Sequence, residues 1–164
     1  MEGKKRTTGN FVNLSPYNQM LEFFSWLAGW HYGKYPVQEY TRFSMGEWLN
    51  TIQWTYWATF TTPYELTIQS ARRMAENIGK FCIKNNGELI FWVAEKYDVK
   101  DGHHIHALIK TSTDIRTIWD WAFRRYGRSK IKRYNRRIGA GGYCAKYITQ
   151  PMTDYDIIIG HNNK

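Results

Sequence analysis

Residues 89–110 hold the side chains best suited to chemistry. Leu89-Ile-Phe-Trp-Val-Ala-Glu95 is followed by a short polar turn and then by Gly102-His-His104-Ile-His106-Ala-Leu-Ile-Lys110. Two apolar runs joined through a turn containing Gly and Asp read as an antiparallel hairpin. Side chains alternate along a strand, so His104 and His106 share one face while Ile105, Ala107 and Ile109 share the other. Glu95 ends the preceding strand, where the turn can bring its carboxylate over the histidine face. Two imidazoles and a carboxylate form an open divalent-metal site that leaves coordination positions for a substrate oxygen. Imidazole ligands favour manganese in affinity and cellular supply favours magnesium, so both Mn2+ and Mg2+ stay open as the metal. His103 faces away from the pair and reads as an exposed turn histidine; His31 and His161 have no ligand-like surroundings in sequence.

A second stretch, Gly139-Ala-Gly-Gly-Tyr143-Cys-Ala-Lys146-Tyr147-Ile-Thr-Gln150, reads as a helix entered through glycines and stopped before Pro151. Positions 143 and 147 lie one turn apart with Lys146 beside them, so two phenols and an ammonium share a face. A metal, a phenol nucleophile and a cation make a site suited to phosphoryl transfer.

With both stretches in hand, the chain resembles the HUH endonucleases, and within them the rolling-circle replication initiators. The His-hydrophobic-His motif of that family is matched by His104-Ile105-His106, and its Tyr-x-x-Lys motif by Tyr143 to Lys146. Tyr143 and Tyr147 match the Tyr-x-x-x-Tyr form of microvirus-type initiators, and Trp57-Ala-Thr-Phe-Thr-Thr62 looks like the family's first motif strand. The resemblance implies a ferredoxin-like α+β fold, a central antiparallel sheet flanked by helices, with the metal on the open face of the central strands. It implies attack by Tyr143 on single-stranded DNA at a replication origin, a 5′-phosphotyrosyl intermediate, and nicking and joining that start rolling-circle replication of a plasmid, phage or small virus. Tyr147 is then either a second nucleophile or ordinary helix surface. Relaxases and single-strand transposases share this chemistry, but relaxases commonly carry an N-terminal tyrosine and three histidines. A non-catalytic module that binds single strands is the remaining alternative.

The composition fits such partners. The chain has 164 residues, enough for one well-packed domain, and a formal net charge of +9, which favours a polyanion. Residues 124–137 concentrate Arg124, Arg125, Arg128, Lys130, Lys132, Arg133, Arg136 and Arg137, and this run is expected to hold DNA through phosphates without reading bases. No apolar run reaches membrane-span length and no signal-peptide core follows the basic N-terminus, so a cytoplasmic protein, or a nuclear one in a eukaryotic host, is expected. Cys82 and Cys144 are expected to be free thiols. No phosphate-binding loop of the nucleotide-hydrolase type is present, so a separate helicase, where unwinding is needed, and a separate polymerase are expected partners.

The elements that must position these groups follow from local signals. Residues 1–50 are expected to form a helical extension packed on the core, and residues 51–164 the catalytic domain. Within the extension, residues 1–14 read as flexible, with Lys4, Lys5 and Arg6 near phosphate or simply solvated. Ser15-Pro16 opens a helix to Gly29, residues 30–43 connect irregularly, and the Ser44-x-x-Glu47 capping box opens a short helix through Trp48, Leu49 and Ile52. Thr55–Thr61 is the first catalytic strand. Thr62-Pro63-Tyr64-Glu65 is expected to start a long helix to Lys84 that buries Tyr64, Ile68, Ala71, Ala75, Ile78 and Cys82. Asp114 caps a helix through Ile118, Trp119, Ala122 and Phe123. The tail Tyr155–Ile159 is compatible with an edge strand or with a chain end outside the fold.

Overall fold

The computed structural model describes residues 37–160 except 149 and 152. The helix expected from Ser15, the basic Lys4, Lys5 and Arg6, and His31 and His161 lie outside the described residues.

Six elements follow in the order β1 (Tyr56–Phe60), α2 (Ile68–Lys84), β2 (Gly87–Lys96), β3 (His103–Thr111), α3 (Ile115–Tyr126) and β4 (Ser129–Arg133). The strands lie in the order β4-β1-β3-β2 with every neighbour antiparallel, which is the ferredoxin-like arrangement. A fifth strand, β5 (Asp154–Ile159), adds antiparallel to the free edge of β2, so the tail belongs to the sheet. Arg72 of α2 grips both carboxylate oxygens of Asp154 at 2.6 Å and pins that edge strand to the helix layer. Before and after this unit come α1 (Val37–Thr51) and α4 (Ala140–Ile148), the latter entered through a single 3-10 turn at Arg136–Ile138.

Strand alternation divides the interior into two apolar clusters. Tyr56, Ala58, Phe60, Ile90, Trp92, Ala94, Ile105, Ala107 and Ile109 meet α2 and α3 on one face. Leu89, Phe91, Val93 and Leu108 meet α1 and α4 on the other. The two buried thiols are free and separate, Cys82 in the first cluster and Cys144 in the second. Close approach of α1 and α4 depends on small residues: a Cβ at Gly141 would lie 2.6 Å from Asn50 Oδ1 and 3.2 Å from Leu49 Cβ.

Several local signals are overridden by packing. α2 starts at Ile68, with Thr67 as its cap accepting from the Ser70 amide, rather than at Thr62-Pro63. Leu66 is drawn into the core, which forces residues 62–66 into a loop and leaves Tyr64 exposed. The capping-box reading of Ser44 also fails, because Ser44 is buried in the middle of α1 and the helix already runs from Val37. The helix therefore begins seven residues before the local start signal, and Ser44 itself is buried within it rather than capping it. On α3 the buried positions are Ile118 and Ala122, whereas Trp119 and Phe123 face solvent.

Candidate metal and tyrosine site

Register sets the geometry of the candidate metal ligands. Glu95 on β2 stands directly across from His104 on β3, and Val93 across from His106. The turn between them closes through Gly102, whose φ of +93° suits glycine and whose missing side chain admits Leu66 N at 3.1 Å from the Cβ position. Glu95 Oε2 lies 2.8 Å from His106 Nε2 and 3.1 Å from His104 Nε2, and the two Nε2 atoms are 2.9 Å apart. These atoms form a nearly equilateral triangle. Three ligands each about 2.1 Å from one cation, at right angles, are about 3 Å apart, so the triangle has the dimensions of one octahedral face.

The chemistry of the donors agrees with that fit. Burial lowers the His106 imidazole to about 4, and the neighbouring His104 adds to the shift against the pull of Glu95. His104 is also lowered, first by burial. Both rings are therefore neutral near pH 7 and can ligate without losing a proton. His106 Nδ1 lies 3.1 Å from Thr59 Oγ1 on β1, a bond that orients the ring. In the tautomer with the ring proton on Nδ1, each Nε2 presents a lone pair toward Glu95 Oε2, the form that a cation can join. Among the described residues, Glu95, His104 and His106 are the group able to hold a metal ion.

His104 is supported differently from His106. Its Nδ1 is buried without a hydrogen-bond partner. The Tyr97 ring stacks on it at 4.6 Å between centroids, and the Lys100 ammonium sits 4.1 Å from the Tyr97 ring centre on the turn above. His103 is not an exposed turn residue. It is buried as the first residue of β3, and its Nδ1 lies 2.9 Å from the Leu66 carbonyl, because the loop carrying Leu66 folds over that face.

α4 lands on the histidine face. Tyr143 and Tyr147 lie 5.1 and 6.2 Å from the His106 ring and 5.2 Å from each other. Trp57 of β1 completes the wall, 5.8 Å from Tyr143 and 6.5 Å from His106. Tyr143 is 38% exposed and Tyr147 only 5%. Burial raises the Tyr143 phenol, while its hydrogen bond with Tyr147 pulls it back down. Tyr147 is raised by burial and raised further by its bonds to Tyr143 and Glu95. Tyr143 is thus the phenol that ionises more readily. Lys146 is exposed, with its ammonium 5.1 Å over the Tyr147 ring.

The eight cations expected to meet DNA, Arg124, Arg125, Arg128, Lys130, Lys132, Arg133, Arg136 and Arg137, are all exposed. None of them is in an ion pair among the described residues. Lys130 and Lys132 pair in register with Thr59 and Trp57, which puts them on the histidine face, while Ile131 packs into the opposite core. Trp57 and Thr59, both within the stretch that looks like the family's first motif strand, and Tyr97 border the candidate site, although no individual role was assigned to any of the three. The alternation of Trp57 and Thr59 along one strand was the available signal for the first two.

No protein-family model matches the chain, and no curated protein or solved structure matches it.

Proposed function

We propose that the chain is a divalent-metal-dependent endonuclease that nicks and rejoins single-stranded DNA, with Tyr143 as nucleophile, and that it initiates rolling-circle replication. The observation that carries this reading is the placement of an exposed phenol ring with its centroid 5.1 Å from that of His106, one of three donors able to hold a metal ion, and of a second phenol ring 5.2 Å from the first.

Glu95, His104 and His106 would hold the cation, which supplies Lewis-acid polarisation of the scissile phosphate. Tyr143 loses its proton toward solvent on its exposed side, and the Tyr147 hydroxyl donates to the phenolate that results. That phenolate attacks phosphorus, the phosphorus–oxygen bond to the 3′ carbon breaks, and the departing oxygen takes up a proton to become a 3′-hydroxyl. The 5′ phosphate stays on Tyr143, and reversal of the same step rejoins the strand. Lys146 and the two lysines on the metal face of β4 attract the phosphates on either side.

The test is incubation with single-stranded origin-like oligonucleotides and manganese, followed by denaturing electrophoresis. A protein–DNA adduct is expected that vanishes with chelator, in Tyr143→Phe and in His104→Ala. Binding without adduct in manganese, magnesium and other divalent metals would replace the enzyme by a non-catalytic binding module. Adduct that survives Tyr143→Phe but not the further change Tyr147→Phe makes the second phenol a nucleophile in its own right.

A further inference from the structure

α3 carries a feature that its packing does not use. Trp119 and Phe123, one turn apart, lie on its solvent side with their rings stacked nearly parallel, 4.8 Å between centroids and 12° between planes. Their exposures are 38% and 48%, although Ile118 and Ala122 already seal the helix to the sheet. The pair is held in place, since the Trp119 indole nitrogen donates to the Ser129 carbonyl at 3.0 Å at the start of edge strand β4. Two large rings fixed flat and open to water form a surface on which an unpaired base can stack, whatever its identity.

The surroundings specify the occupant by charge. Arg124, Arg125 and Arg128 are exposed around the C-terminal end of the same helix, and Lys130 and Lys132 follow on β4, none of them neutralised by an acidic partner among the described residues. The two lysines face the tyrosine side of the sheet, and β1 alone separates β4 from the histidine strand β3. Two strand spacings, about 10 Å, therefore connect the metal site to the edge beside Trp119. The groups fall in order across the sheet: Tyr143 and Trp57, then Lys132 and Lys130 on the edge strand, then the ring pair, which lies round that edge on the helix layer of the other face and is tied to the strand at Ser129.

We infer that Trp119 and Phe123 are a base-stacking subsite for single-stranded DNA that leaves the tyrosine site over the Lys130 and Lys132 edge of the sheet. The inference rests on the reading of the chain as acting on single strands, but not on cleavage. Duplex DNA is a poor occupant, because its base faces are already stacked on one another.

The test is fluorescence anisotropy of a labelled oligo-dT with the full chain in chelator, so that nothing is cleaved. The Trp119→Leu/Phe123→Leu variant keeps apolar bulk and helix propensity and is expected to bind about 10-fold or more weakly, with an unchanged salt slope. Lys130→Ala/Lys132→Ala is expected to flatten the slope of log affinity against log salt by about 1.4. Binding by the leucine variant within twofold of the parent overturns the subsite. So does a dimer in sedimentation that the leucine changes dissolve without altering DNA affinity, since the rings then dock a second copy. Adduct formation in manganese separates the two readings: weaker binding of the leucine variant with no adduct from any chain keeps the subsite and rejects nicking. Equal adduct and equal binding in parent and variant keep nicking and reject the subsite.

Discussion

The two faces of β3 are built from alternate residues of the same strand, yet they serve opposite ends. Ile105, Ala107 and Ile109 lie under the long helix α2 and its companion α3 in a closed apolar core. His104 and His106 lie on the other face, where the short helix α4 covers the sheet and leaves Tyr143 open to solvent. A side chain on the first face contributes by excluding water, whereas one on the second is kept neutral by burial and supplied with partners that a ligand can use. The helix layer, more than the strand, decides which residue types the face can tolerate.

The sharpest way to break this contrast is to remove one side chain from each face. Ile105→Ala should lose about 2–5 kcal/mol of stability, read as a lower urea midpoint, while still binding manganese at saturation. His106→Ala should do the reverse, with manganese affinity in calorimetry falling by more than about 100-fold, beyond what loss of a supporting partner costs. If both changes act mainly on stability, the two faces do not differ in kind.

Acid should act on the histidine face in the metal-free protein. An unfolded histidine takes up its proton near 6.5, whereas folded His106 resists protonation until about 4, so the unfolded state binds more protons in between. Stability is then full above pH 6.5, falls as pH drops toward 4, and levels off below. The loss from this group is on the order of 3 kcal/mol, and His104 adds to it in the same direction. Urea unfolding in chelator across this range checks the slope; a flat profile would mean that the imidazoles are not held neutral by the fold.

Smaller effects should distinguish the supports of the two ligands. Thr59→Val removes the partner of His106 Nδ1 and should weaken manganese binding by about 10–100-fold. Tyr97→Leu removes the ring stacked on His104 and should cost about 10-fold or less, in line with roughly 0.5–1.5 kcal/mol for such a ring contact. Equal losses would mean that stacking orients an imidazole as firmly as a hydrogen bond does.

Much of the site was legible before folding, because its features are local. The period of two along His104-Ile105-His106 and the spacing of four between Tyr143 and Tyr147 assign shared faces directly. Glu95 followed from the hairpin turn. Less legible were the beginnings of α1 and α2: Thr62-Pro63 is a good start signal that is overridden as Leu66 enters the core, and Ser44-x-x-Glu47 is one that falls inside a helix already running from Val37. The burial of His103 is not legible locally, because the loop that covers it comes from 37 residues earlier in the chain.

The amino-acid order by itself determined the strand and helix periods, the pairing of donors on each element and the excess of positive charge, since each depends on neighbours within a turn or a hairpin. Tertiary structure alone decided that α4 crosses the histidine face and not the opposite one. It also brought Thr59, Trp57 and Tyr97 to the candidate site and Lys130 and Lys132 to the same side as Glu95, His104 and His106. Those relations hang on strand order and on which helix covers which face, and they join residues far apart in the chain through packing that no local spacing encodes.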